Sequence, residues 1–361
     1  MNQKALIAMS GGVDSSVAAY LMKQEGFTCI GVTMKLFHNE DVGLSREHTC
    51  CSLDDVEDAR SVAYALGMPF YVFNFSDRFR ETVIAPFVSA YEHGETPNPC
   101  IECNRCLKFD ALFRRAQELG IDYVVTGHYA RIDFDRRSGR WRLLRALDPA
   151  KDQSYVLYAM TQRQLAHTRF PLGGMSKPEV RAIAEQVGFL NARKHDSQDI
   201  CFVPSGSYAD FIEGCTCRSY PPGDFIDREG RVLGRHRGII RYTIGQRKGL
   251  GLSFDVPHYV CAIDPVANTV TLGVERELYQ RVVHVDRLNL ISLPALTEPM
   301  RVKAKVRYRG REAWATAEPE GADGLRLIFD EPQRAVTRGQ AAVLYDGDVV
   351  VGGGTITGSE T

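Results

Sequence analysis

The sequence predicts an α/β protein with a parallel-sheet domain at its N-terminus, followed by a small central domain and a C-terminal β-barrel. Three observations predict it. Over roughly the first two hundred residues, short apolar strands alternate with amphipathic helical stretches that end at glycine, the pattern of strand–helix–strand crossovers. Near residue 205 the style changes, and "CTCRSYPPGDFIDREGRVLGRHRG" is rich in Gly, Pro and Arg. From about residue 282 onward, short strand patterns separated by turn residues predominate, as in a small barrel. The expected domains are 1–205, 206–281 and 282–361.

In chain order, "KALIAMS", "TCIGVTMKL", "PFYVFNF" and "DYVVTGH" read as strands. "SSVAAYLMKQEG" and "VEDARSVAYALG" read as the helices between them, and "NRCLKFDALFRRAQELG" as a further helix. "HYVCAIDPVANTVTLG" predicts a hairpin turning around Ala267 and Asn268. In "MRVKAKVRYRGRE", Arg301, Lys303, Lys305, Arg307, Arg309 and Arg311 fall on every second position, so a strand would carry all of them on one face. Such a row repels itself unless an anion lies across it, which suits a polyanionic partner, although a solvated strand face reads the same way. "GLRLIFD" and "QAAVLYDGDVVVGGGTI" complete the expected barrel.

A chain of 361 residues exceeds one ordinary core. Its 44% apolar and 25% charged composition is that of a globular protein, and no apolar run approaches the ~20 residues of a membrane span. The start runs directly into a strand with no export signal, so a cytoplasmic location is expected. In a reducing compartment ten cysteines point to metal or thiolate chemistry rather than a disulfide framework. Cys29 and Cys261 read as small core residues, while Cys50, Cys51, Cys215 and Cys217 receive no functional assignment.

Two stretches carry chemistry. In "AMSGGVDSSVAAYL" a strand ends at Ser10-Gly11-Gly12-Val13-Asp14-Ser15 and a helix begins at once, so glycines, hydroxyls and the helix N-terminus converge as a phosphate cradle. It lacks both GxxxxGK[ST] and GxGxxG. Bare phosphate would repel Asp14, which suggests that this carboxylate works through Mg²⁺. The other stretch, "NPCIECNRCLKF", sets Cys100, Cys103 and Cys106 three residues apart. That spacing leaves metal ligation, redox chemistry, a nucleophile and packing thiols all open.

"SGGVDSS" resembles the PP-loop of the ATP pyrophosphatase group, a fold of the adenine nucleotide alpha hydrolase type. Together with "GVTMKLF", "CCSLDDVEDAR", "TPNPCIECN", "TGHYAR", "DQSYVLY", "SQDICF", "YTIGQRKGLG" and "RAVTRGQAAVLYDGDVVVGGG", it resembles the tRNA-specific 2-thiouridylases over nearly the whole chain. The resemblance implies ATP-dependent exchange of the 2-carbonyl oxygen of the wobble uridine for sulfur, with ATP and Mg²⁺ as cofactors and tRNA as substrate. A cysteine-desulfurase relay would be the sulfur donor. It places Ala8, Met9, Ser10, Gly11, Gly12, Val13, Asp14, Ser15, Met34 and Gly127 around ATP, with Gly127 leaving room for the nucleotide. Cys201 would carry a persulfide and Cys103 would resolve it, through a Cys103–Cys201 disulfide or released sulfide. Asn98, Pro99 and Cys100 would meet the target base, and His128, Lys151, Asp152, Gln153, Arg307, Tyr308 and Gln340 would touch tRNA.

Many relatives have Asp where this chain has Cys100. Cys100, Cys103 and Cys201 are therefore a candidate ligand set for a 4Fe-4S cluster with one open iron, in competition with the persulfide scheme. A structural zinc using Cys106 as fourth ligand is a third reading, although Cys106 alone reads as a helix-packing thiol. Arg338 stands where relatives often have proline. The competing functions are another PP-loop ligase or amidotransferase, which leaves the cysteines and basic row unexplained, and a noncatalytic tRNA-binding protein.

Overall fold

The computed structural model describes residues 3–37, 53–194, 200–203 and 207–360. Cys50 and Cys51 lie outside the described residues. The strands are β1 (Lys4–Ala8), β2 (Thr28–Lys35), β3 (Phe70–Asn74), β4 (Tyr123–Val125), β5 (Arg131–Asp135), β6 (Arg140–Leu144) and β7 (Thr168–Arg169). They continue with β8 (Gly223–Ile226), β9 (Val232–His236), β10 (Tyr259–Asp264), β11 (Thr269–Gly273) and β12 (Tyr279–Leu290). The last are β13 (Met300–Lys305), β14 (Ala313–Glu320), β15 (Gly324–Arg334), β16 (Ala341–Asp346) and β17 (Val349–Glu360). Two helices flank the first crossovers, α1 (Val13–Gln24) and α2 (Leu53–Ala65).

The N-terminal sheet has the all-parallel order β3-β2-β1-β4-β7. Its middle strand β1 is buried on both faces, with Ala5, Leu6 and Ile7 wholly inaccessible. Burial on both sides explains why it reads as an unbroken apolar run rather than an alternation. Strand order reverses between β1 and β4, so the loops leaving their carboxyl ends diverge and open a crevice there. The loop after β1 is the "SGGVDS" segment and the loop after β4 is "TGH".

Between β4 and β7 the chain leaves this sheet, which the α/β reading did not anticipate. β5 and β6 form an antiparallel hairpin, and β6 joins β17 through Val349↔Leu144. The turn is built locally: the Asp135 carboxylate accepts the Arg137 N–H and the Ser138 hydroxyl, and Gly139 sits at φ +65°. The central sheet, β10-β11-β8-β9, contains the expected hairpin with Asn268 at φ +52°. Its Phe225, Val260 and Leu272 share a core with Phe79, Phe87, Tyr91 and Phe202, so this domain is packed on the first rather than tethered to it.

The C-terminal strands run β12-β15-β14-β13-β16-β17, and β12 pairs back onto β17 to close the barrel. Val283, Val302, Ala315, Leu327, Phe329 and Val351 fill it. The expected long basic strand is corrected here. β13 ends at Lys305, because the chain must reverse before Ala313 pairs with Ala304. A turn closed by the Gly310 N–H on the Arg307 carbonyl (3.0 Å) takes up that reversal. On β13 itself Arg301 pairs with Asp330 (2.7 Å) and Lys303 with Glu312 (3.5 Å), so two of its basic side chains already have carboxylate partners.

The helix expected from Asn104 is also wound differently. Residues Asn104–Ala111 form a π-helix before α-helical winding resumes at Leu112–Glu118. Because a π-turn spans five residues, Cys103 shares a face with Lys108, not simply with Cys106 as α-helical spacing suggested. Among the described residues no helix is long and apolar enough to cross a membrane.

One surface cluster ties three barrel strands together. His284 on β12 lies 2.8 Å from Glu320 on β14 through Nδ1 and 3.1 Å from Glu360 on β17 through Nε2. The hydrogen bond to Glu320, with that to Glu360, raises the imidazole above its usual range. A raised folded-state value means stability that is fully present below the unfolded histidine value and lost as pH rises through the folded one. The unfolding free energy from urea titration should therefore fall between mildly acidic and mildly alkaline pH by about 1 kcal/mol. His284→Ala should remove that portion of the slope.

Candidate functional site

After β1 the chain crosses Met9-Ser10-Gly11-Gly12 and enters α1. Met9 extends the sheet: its N–H donates to the Val32 carbonyl (2.8 Å) and its carbonyl accepts the Thr33 hydroxyl (2.7 Å). Gly11 lies at φ +74°, and a Cβ there would collide with the backbone of Asp55 in α2, so only glycine fits. Gly12 caps α1 with no side-chain hydrogen bond, which leaves the first-turn N–H groups of Val13, Asp14 and Ser15 facing the crevice without a capping side chain. The loop is braced from within. The Ser10 N–H donates to Ser15 Oγ (3.2 Å), and the Ser15 and Ser16 hydroxyls both donate to the Gly12 carbonyl (3.0 Å). Buried Asn191 donates to the Gly11 carbonyl and Ser16 Oγ, each at 2.9 Å. A helix terminus with open donors, a left-handed glycine and two serines fits the pyrophosphate portion of a nucleotide.

Asp14 has partners from distant parts of the chain. The carboxylate that seemed to require Mg²⁺ already faces a cation, because Lys177 Nζ lies 2.7 and 2.8 Å from its two oxygens. The Tyr129 hydroxyl also donates to it (2.8 Å). Lys177 opens the helix Lys177–Val187, whose Ser176/Glu179 capping box fixes the start, and its side chain is only 8% exposed. "SKPE" is legible as a helix start. Nothing local says that its first lysine reaches the phosphate loop. On the other side of the loop Lys194 bridges Asp55 (2.5 Å) and Asp58 (2.7 Å) at the start of α2.

Gly127 is required by the packing of its own loop. A Cβ on it would stand 2.8 Å from Asp14 C and Ser15 N, so the glycine lets β4's loop lie against the backbone of α1's first turn. Gly127→Ala should cost about 1–3 kcal/mol through overpacking and displace the N–H groups aimed into the crevice. Denaturant midpoints and ATP affinity should both fall. Ala8 and Met34 are half-buried beside Leu6, Val32 and Leu112, and Met34 also touches the aromatic core that holds the cysteines.

The short helix Pro99–Cys103 begins at Asn98, whose Oδ1 accepts the Cys100 N–H (3.2 Å). Pro99 is buried at its first position, Cys100 is exposed, and Cys103 is half-buried and carries an unbridged thiol. Cys103, Cys106 and Cys201 all pack on the hydrophobic core that also holds the ring pairs Phe79–Phe202 and Phe87–Phe202. Burial pushes the Cys103 thiol up; the Lys108 ammonium opposes that shift, and neighbouring Cys100 and Cys106 add to it. Among the described residues no group of three or more His, Cys, Asp or Glu side chains converges to hold a metal ion. Cys100, Cys103 and Cys201 are therefore not brought together as cluster ligands. Nor does a Cys103-based zinc site form with Cys106, whose thiol turns toward Glu102 (3.9 Å). Cys215 is half-buried on the central core and Cys217 is exposed at the C-terminal end of its helix.

The residues expected to touch tRNA separate into two groups. His128 is buried between Phe109 and Phe170, with Nδ1 2.7 Å from the Thr126 hydroxyl. Burial first, and Lys108 second, push its imidazole well below the ordinary range, so it is neutral. Asp152 accepts the Ala146 and Ser154 N–H groups (3.0 and 3.2 Å), and Gln153 accepts the Tyr129 N–H (2.9 Å); both side chains organise their own loop. Gln340 donates to the Thr96 carbonyl (2.8 Å). By contrast Lys151 is half-exposed, Tyr308 is exposed, and Arg307, Arg309, Arg311 and Arg334 line a cleft of about 410 Å³ at one end of the barrel. Lys177, Tyr129, Asn191 and Lys108 are the site residues that sequence reasoning missed.

The model of a tRNA methyl transferase HUP domain matches residues 3–205, that of a tRNA methyl transferase PRC-barrel domain residues 209–274, and that of an aminomethyltransferase beta-barrel domain residues 280–356. A protein of Clostridioides difficile (strain 630) named tRNA-specific 2-thiouridylase MnmA is 49% identical over 356 residues, covering 99% of this chain and 98% of the relative. A protein of the same name from Moorella thermoacetica is 52% identical over 351 residues, covering 97% and 98%. Among solved structures, a 4-thiouridine synthetase–RNA complex with bound ATP aligns at a TM-score of 0.35 and 22% identity, over 56% of this chain and 45% of that one.

Proposed function

Because the chain belongs to the tRNA-specific 2-thiouridylase family, we propose that it is an ATP-dependent sulfurtransferase that thiolates C2 of the wobble uridine of tRNA. One observation carries the reading: the open N-terminus of α1 lies at the sheet's switch point, and Met34 links that crevice to the core on which Cys103 and Cys201 pack.

The chemistry follows from the leaving-group problem. Oxide cannot depart from a urea-like carbon, so uridine O2 attacks the α-phosphorus of ATP and pyrophosphate leaves onto the N–H groups of α1 and the Ser10 and Ser15 hydroxyls. Mg²⁺ would neutralise phosphate charge, held chiefly by the phosphates because Lys177 already engages Asp14. The terminal sulfur of a Cys201 persulfide, charged by a cysteine-desulfurase relay, adds to C2, and AMP departs with the electrons of the C2–O bond. The Cys103 thiolate then attacks Cys201 Sγ. The S–S bond to the nucleobase breaks, its electrons stay on the sulfur now held by C2, and a Cys103–Cys201 disulfide remains for an external dithiol to reduce.

The wobble base must leave its stack, at a cost of a few kcal/mol that is least in a single-stranded loop. Backbone contacts at the arginine-lined cleft of the barrel would offset it. The test is direct: full-length protein charged to the persulfide by a cysteine desulfurase with cysteine, then ATP, Mg²⁺ and unmodified tRNA in a single turnover. Thiolated tRNA with AMP in equal amount is expected. ATP turnover without thiolation would favour another PP-loop ligase, and tRNA binding without AMP a noncatalytic binder.

A further inference from the structure

The segment that carries Cys100 and Cys103 is tied at both ends to one short stretch of the barrel, residues 338–341. At its front, the Thr96 N–H donates to the Arg338 carbonyl (2.9 Å). Gln340 Nε2 donates to the Thr96 carbonyl (2.8 Å) and lies 3.4 Å from that of Pro97. Between them Gly339, at φ +86°, lets the two backbones close up, since a Cβ there would stand 3.2 Å from Glu95 Cβ. At its rear, Asn104, next to Cys103 and only 3% exposed, donates to the Val156 carbonyl (3.0 Å). The adjacent Tyr155 is 1% exposed and donates its hydroxyl to the Ala341 carbonyl (2.8 Å). Gln340 thus holds the front of the cysteine segment directly, and its neighbour Ala341 holds the rear through Tyr155 and Val156.

We infer that the barrel stretch 338–341 is a bracket that positions the reactive cysteine segment, with Gln340 and Tyr155 as its positioning residues. Residue 338 contributes its carbonyl, which proline has as well, so this tie does not depend on the arginine side chain. The Tyr308 ring, beside the arginine-lined turn, sits 5.7 Å from Tyr155, so RNA seated on that turn would lie one side chain from the rear tie. The barrel would then couple RNA engagement to the placement of Cys103. The inference rests on Cys103 being the reactive thiol of the proposed reaction, but its test does not.

Gln340→Met keeps size and removes the donor; Tyr155→Phe removes only the hydroxyl. In each full-length variant, without substrate, hydrogen exchange of amides 96–104 should quicken by about threefold or more, and alkylation of Cys103 should quicken with it. In the thiolation assay kcat of Tyr155→Phe should fall roughly tenfold while its tRNA affinity stays within about twofold. Unchanged exchange in both variants overturns the bracket. So does a Tyr155→Phe protein whose tRNA affinity falls by the same factor as kcat/KM, since that marks lost binding rather than lost placement. If wild-type protein thiolates nothing, the proposed reaction fails, yet exchange and alkylation still decide the bracket.

Discussion

Cys103→Ser is expected to lower tRNA thiolation by at least on the order of 10³-fold, while ATP binding at the phosphate loop is retained. Serine fills nearly the same half-buried volume against the hydrophobic core, so the fold has little reason to change. Its oxygen cannot enter disulfide exchange, so sulfur delivered to C2 would remain joined to Cys201. The expected product of a single turnover is therefore a covalent tRNA–protein adduct that thiol reductants release. The wild-type protein adds a pH signature. Burial holds the Cys103 thiol above its ordinary range, with Lys108 only partly opposing, so its thiolate fraction and the resolving rate should still be climbing through mildly alkaline pH. Full thiolation by Cys103→Ser with sulfide-free, persulfide-charged enzyme would remove Cys103 from the resolving role.

Lys177→Met is expected to cost about 3 kcal/mol of stability and roughly a hundredfold in ATP affinity. The lysine side chain is 8% exposed and Asp14 31%, so deleting the cation leaves a carboxylate poorly solvated and directly beside the loop that would receive phosphate. Asp14's remaining exposure keeps the stability loss at the lower end for a broken buried pair. Tyr129 still donates to the carboxylate, but a neutral hydroxyl does not cancel its charge. Adding Asp14→Asn to Lys177→Met should recover most of the stability, because two neutral side chains leave no unpaired charge. Chemical denaturation and ATP titration of the four proteins measure both effects. Additive losses in the double variant would mean that the two residues act independently, against the 2.7 Å contact.

Much of the fold was legible because its signals are local. β1, β2 and β3 announce themselves as apolar runs bounded by turns, and the Asn268 turn and the Asp346-Gly347 turn between β16 and β17 by residues that accept left-handed backbone. The phosphate loop was legible for the same reason, since Gly11, Gly12 and the hydroxyls of Ser10 and Ser15 lie within six residues. Two local expectations failed for identifiable reasons. The basic row stops at Lys305 because a hairpin must turn somewhere, and period-two charges do not say where. The helix after Cys103 winds as a π-helix, a change that its residue types do not signal.

What the sequence by itself determined is the α/β-then-barrel architecture, the family, the phosphate loop and the cysteines as candidates. Only the tertiary structure decided what surrounds them. Lys177 reaches Asp14 across 163 residues of chain, Gln340 reaches Thr96 across 244, and β6 is taken from the N-terminal domain into the barrel sheet. Each is a contact between groups whose own neighbourhoods give no sign of it. Periodicity and turn chemistry are properties of adjacent residues, whereas ion pairs and hydrogen bonds between elements exist only once packing has set the distances. For that reason the close approach of Gly127 to the backbone of Asp14 and Ser15 is visible only in three dimensions.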